Sequence, residues 1–96
     1  MHICFVEYQI SEEFIMDYRS WAAIQQAEFN DFQLYEGTDQ PLLFVEVWEA
    51  PNEEAALAIK KERCSERSSW FTMSQWVQGG AARIHAWTFR PVNGRL

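Results

Sequence analysis

Glu7, Glu46 and His85 carry side chains suited to moving protons, and each lies in a stretch that alternates like a β-strand. Successive side chains of a strand point to opposite faces, so neighbouring strands can gather such groups on one patch. The pattern places Glu7 between Glu46 and His85 on one sheet face. Two carboxylates crowded into a dry place do not both ionise freely, so one pKa rises unless His85 or Arg83 compensates. Such a cluster suits general acid–base catalysis, for example proton abstraction from an activated carbon. Tyr35, Phe44, Trp48 and Trp87 are expected to form an aromatic wall for a small apolar or aromatic compound beside it. The segment from Trp70 to Trp76 either packs beneath a loop, the reading preferred, or covers the mouth of such a pocket, where Trp70 would touch the compound. The competing reading is structural: the same groups pair across a two-fold interface, and the chain is a non-catalytic dimerisation domain.

Other chemistries find little support in the residues. No ligand spacing joins Glu7, Glu46 and His85, which come from three separate stretches, so no metal site is expected. Cys4 and Cys64 stand far apart without a CxxC motif or a neighbouring His, and read as reduced structural thiols. With no glycine-rich phosphate loop either, no cofactor is expected. The formal net charge is −6 and the only basic cluster, Lys60, Lys61 and Arg63, is interleaved with Glu62 and Glu66. Nucleic acid and anionic membrane surfaces, which need clustered positive charge, are therefore not expected as partners. No apolar run approaches the roughly 18 residues of a membrane span, and Met1–Ile10 lacks a basic n-region and holds Glu7. A cytoplasmic protein is the expectation.

The elements that must position the cluster follow from periodicity and punctuation. His2–Ile10 alternates as a first strand. Ser11, followed by Glu12 and Glu13, reads as the N-cap of a helix whose apolar stripe runs through Phe14, Tyr18, Trp21 and Ile24 or Gln25, to end near Ala27. Phe32–Glu36 is a second strand, and the turn-rich Gly37–Pro41 joins it as a hairpin to a third, Leu42–Glu49. Pro51 ends that strand, and Asn52 before Glu53 and Glu54 caps a second helix, strongly polar from Lys60 to Arg67. Ser68 and Ser69 interrupt the chain before the segment Trp70–Val77, which Gly79 and Gly80 close. Arg83–Phe89 is a fourth strand.

The order β-α-β-β-α-β implies an α+β, ferredoxin-like sheet with both helices on one face and the first and third strands side by side, parallel, at the centre. One domain over residues 1–90 and a polar tail over 91–96 account for the chain length. Leu43, Val45 and Val47 are apolar throughout and are assigned to the helix-covered face with Cys4, Val6, Tyr8, Phe32, Leu34, Ile84 and Ala86. That assignment turns Phe44, Glu46 and Trp48 to the open face with Phe5, Glu7, His85, Trp87 and Phe89. An open face holding that much apolar surface is expected to be covered by a second copy, as a homodimer.

The order of elements, Val47-Trp48-Glu49 ahead of an acidic-capped helix, and the aromatic segment Trp70–Val77 before the last strand resemble the dimeric α/β-barrel superfamily. Within it the likeness is nearest to small antibiotic-biosynthesis-monooxygenase-like proteins. The resemblance implies two sheets closing into a barrel across a dimer, with a pocket between each sheet and its helices or loops. It also implies an activity of cofactor-independent monooxygenase type or the binding of a small apolar compound. It does not extend to the haem-degrading branch, because the first strand offers Glu7 and Gln9 where that branch has Asn and the second helix contains no His.

Overall fold

The computed structural model describes residues 1–92. The tail expected over 91–96 lies largely outside the described residues. The β-strands are β1 (His2–Gln9), β2 (Phe32–Glu36), β3 (Leu43–Ala50) and β4 (His85–Phe89), and the α-helices are α1 (Ile15–Glu28) and α2 (Glu53–Arg63). Short 3-10 segments cover Glu12–Phe14, Ser69–Trp76 and Ala81–Arg83. The sheet has the order β2-β3-β1-β4, and all three neighbouring pairs are antiparallel. This is the α+β, ferredoxin-like βαββαβ arrangement, with both helices on one face. No helix among the described residues is long and apolar enough to cross a membrane.

One part of the expected topology is corrected. β1 and β3 are adjacent but antiparallel, not parallel. The crossover through α1 makes β1 and β2 parallel, and β3, joined to β2 by a hairpin and inserted between them, must run against both.

Local chemistry explains most element boundaries. The Asn52 side chain accepts a hydrogen bond from Ala55 N–H at 2.8 Å, capping α2, while Ser68 accepts one from Trp70 N–H at 3.0 Å to start the Ser69–Trp76 segment. Ser11 makes no side-chain cap, and a 3-10 turn delays α1 to Ile15. The helix-stripe expectation holds at Tyr18 and Trp21, which pack with Ala22 on the core, but Ile24 is exposed. Gly79 and Gly80, at φ +87° and +82°, turn the chain before β4. β4 starts at His85 rather than Arg83, because Arg83 belongs to the preceding 3-10 turn.

The phase of β3 is the second correction. Residues directly opposite each other share a face, and Cys4, Val6 and Tyr8 pair with Trp48, Glu46 and Phe44. Phe44, Glu46 and Trp48 therefore lie under the helices, all buried, whereas Leu43, Val45 and Val47 lie on the open face with Phe5, Trp87 and Phe89. The aliphatic row resembled core; the row with the carboxylate is core.

Candidate functional site

Glu46 is 1% exposed and Arg63 2% exposed, so the two form a fully buried ion pair between the sheet and α2. The guanidinium meets the carboxylate side-on: Nε donates to Oε1 at 2.7 Å and Nη2 to Oε2 at 2.6 Å. Trp48 Nε1 donates to Oε1 at 2.9 Å, and the Tyr8 hydroxyl donates to Oε2 at 2.5 Å. All four partners are donors, the pattern an ionised carboxylate satisfies. Because the only Tyr8 hydroxyl proton is directed at Glu46, the 2.8 Å bond to Tyr18 is donated by Tyr18. The network thus ties β1, β3, α1 and α2 together around one acceptor.

The electrostatics follow from burial. Burial first, then the Glu46 charge and Tyr18, hold the Tyr8 phenol well above its ordinary pKa. Burial also raises Tyr18. Burial alone would lower Arg63, but the charge and hydrogen bonds of Glu46 outweigh it and the guanidinium is held above its ordinary value. Cys4, fully buried beneath the same helices, is pushed up to about 11, chiefly by burial and then by Cys64 and Glu46.

Beside the ion pair is a cavity of about 250 Å³ lined by Phe29, Trp48, Ala58, Ile59, Glu62, Arg63 and Trp70. Its walls are aromatic. Trp48 and Trp70 meet edge to face at 5.2 Å between centroids, Phe29 lies 5.6 Å from Trp70, and Phe32 stacks behind Trp48 at 4.4 Å. The Arg63 guanidinium carbon sits 4.6 Å from the centroid of the Trp70 ring. A larger and more polar depression, about 610 Å³, lies at the far end of the open face, lined among others by Glu7, Gln9, Gln78, Arg83 and His85.

The residues singled out by sequence are accordingly divided between two faces. Glu7 and His85 are cross-strand partners on the open face, as expected. Glu46 is not beside them; it lies on the helix side, where Arg63 compensates its charge. Phe44 and Trp48 go with it, and only Trp48 lines the aromatic cavity. Trp87 stacks on His85 at 5.9 Å on the open face, where Tyr35 is also exposed, so neither shares a wall with Trp48. Trp70 is buried in the cavity wall rather than laid over its mouth. Sequence reasoning left Arg63 in a basic cluster interleaved with Glu62 and Glu66, and Tyr18 in the apolar stripe of the first helix. The available signal was the match of one buried-phase carboxylate with a basic residue on the polar side of α2, which only the pairing of β1 with β3 makes readable.

The fold is that of the ferredoxin-like α+β class. No family model and no curated protein matches the sequence. Solved structures do match. An antibiotic biosynthesis monooxygenase, so named provisionally, from Deinococcus radiodurans superposes with a TM-score of 0.67 at 15% identity, over 95% of this chain and 92% of that one. A second antibiotic biosynthesis monooxygenase structure gives 0.63 at 19% identity, over 96% of this chain and 99% of that one. The likeness is one of fold, and it agrees with the resemblance carried by the element order and the Val47-Trp48-Glu49 strand end.

Proposed function

We propose that this chain binds a small apolar, aromatic compound in the cavity between sheet and helices, and works as a homodimer through its open sheet face. The observation that carries the first part is the cavity wall: Phe29, Trp48, Ile59 and Trp70 present apolar surface, while Glu62 and Arg63 are the only charged residues lining it among the described residues. The likeness to proteins named monooxygenases supports testing the bound compound for oxidation by molecular oxygen without an added cofactor. Glu7 and His85 lie across the sheet from this cavity, so the proposed chemistry does not route through them. For the dimer the support is the open face itself, where Trp87 is 44% and Phe89 49% exposed beside Phe5, Val45 and Val47.

The test uses indane as an apolar two-ring probe, followed through the emission of Trp48 and Trp70. Indane perturbs the emission of the native protein, and Ala58→Leu, which fills the cavity from an exposed helix position, abolishes the response without changing the unfolding midpoint. An unchanged response in Ala58→Leu places binding elsewhere. Light scattering gives a mass twice the 11.3 kDa of one chain, reduced to one chain by Trp87→Glu; a monomeric mass in the native protein refutes the dimer.

A second reading, a dimerisation domain that binds nothing, is favoured by the complete hydrogen bonding of Glu46, which makes the buried pair a structural tie in its own right. Under it, indane leaves the emission unchanged and Glu46→Gln alters stability alone.

A further inference from the structure

We infer that Glu46 and Arg63 are a positioning pair for the cavity, holding the Trp48 and Trp70 indoles in place before a ligand arrives. This rests on the reading of the cavity as a binding site and gives the ion pair a role in it beyond stability. Trp48 is held at its nitrogen, where Nε1 donates to Glu46 Oε1 at 2.9 Å, the acceptor it has among the described residues. Phe32 stacks on the same indole with the ring planes 15° apart. Trp70 is held at its ring, with the Arg63 guanidinium carbon 4.6 Å from the centroid, and Trp21 and Phe29 pack against it as well. One carboxylate and one guanidinium, hydrogen-bonded to each other, thus reach both indoles. The indoles meet at 78° with their centroids 5.2 Å apart, and both line the cavity.

Stability by itself gives no reason for charges at this place. Two fully buried ions lose hydration that their attraction only partly returns, and apolar side chains of similar volume at such sites are often neutral or stabilising. An apolar filling, however, cannot accept the Trp48 N–H, and it lacks the flat delocalised cation that stacks on an indole face. What the pair adds over such a filling is direction, applied to two walls of the cavity at once. The consequence for binding is entropic. An indole free to change rotamer must be ordered as the ligand enters, and each side chain so ordered weakens association, whereas a wall already fixed does not.

The experiment measures indane affinity by calorimetry and the near-ultraviolet circular dichroism of the tryptophans in the native chain, in Glu46→Leu/Arg63→Met and in Arg63→Lys, each well below its unfolding midpoint. In the native chain the tryptophan dichroism is present before indane is added. The double variant keeps apolar volume but neither tie; it binds indane on the order of tenfold more weakly, the effect of re-ordering two side chains, and its weakened dichroism returns as indane saturates it. Arg63→Lys keeps the charge opposite Glu46 and the Trp48 bond but loses the flat face against Trp70, and its affinity falls between the other two. Native affinity in the double variant, or dichroism in its free form equal to that of the native chain, overturns the inference, makes the pair a structural tie alone and leaves the cavity reading intact. Should the double variant not fold, native affinity in Arg63→Lys overturns the inference in its place, and native dichroism that emerges only on adding indane overturns it whichever variants fold. Failure of the native chain to bind indane overturns the cavity reading and the inference with it.

Discussion

Replacing Glu46 by Gln is the perturbation that most directly tests the buried network. The substitution keeps the shape of the side chain but removes the charge that compensates Arg63, which is 2% exposed and sits 2.6 Å from Oε2. The new amide NH2 also faces donors: whichever way it is turned, it meets either Arg63 Nη2 and the Tyr8 hydroxyl or Arg63 Nε and Trp48 Nε1. Removing one partner of a buried ion pair costs about 3–5 kcal/mol. Against a total stability of roughly 5–15 kcal/mol for a domain, that is a large share, and at ~4–8 °C per kcal/mol it lowers Tm by roughly 10–40 °C. The double variant Glu46→Leu/Arg63→Met removes both charges together. Tyr8 and Tyr18 still bond to each other in it, which leaves one of their two hydroxyl protons and Trp48 Nε1 without an acceptor, two neutral donors in place of the uncompensated guanidinium of the single variant. The double variant is therefore more stable than the single one. Urea unfolding followed by tryptophan emission, with thermal melts in parallel, measures both. A Glu46→Gln cost below about 1 kcal/mol, or a double variant at least as unstable as the single, refutes the assignment of Glu46 as the charge that Arg63 requires.

The remaining predictions concern groups packed around the same network. Because the folded pKa values of Tyr8 and Tyr18 are raised by burial, their neutral forms contribute stability that is fully present below the unfolded value of about 10. That stability is lost as pH rises above it, so phenolate absorbance from these two residues emerges together with the loss of near-ultraviolet circular dichroism; ionisation of both with the fold intact contradicts the burial argument. For the thiols, Cys64 is exposed and Cys4 is buried with a pKa of about 11. A disulfide reagent at neutral pH titrates one thiol in the native protein and the second only in denaturant, and rapid reaction of both would show that the β1 core opens.

Much of the architecture can be read from the chain because its causes are local. Asn52 before two acidic residues caps α2 as its chemistry requires, Pro51 and the Gly79–Gly80 pair punctuate elements, and the alternation of β1 and β4 assigns Cys4, Val6 and Tyr8 to one face and His85, Trp87 and Phe89 to the other. The placement of the strands in the sheet and the overall ferredoxin-like class follow from that order, whereas the antiparallel run of β3 against β1 corrects it. The phase of β3 does not, because both of its rows are apolar enough to be core. Leu43, Val45 and Val47 are purely aliphatic, and Phe44, Glu46 and Trp48 carry a charge that hydropathy alone would send to solvent.

Pairing of β3 against β1 settles the phase, and Arg63, 17 residues further along the chain, makes it affordable by bringing a second buried charge to Oε1 and Oε2. The sequence by itself thus determined which elements form and in what order, since caps, turns and alternation act within a few residues. Only the tertiary structure decided which side of the sheet holds Glu46, and with it whether the carboxylate joins Glu7 and His85 or closes a network with Arg63, Tyr8 and Trp48. The reason is physical: the free energy of a buried charge depends on its partners, and these partners come from other strands and another helix.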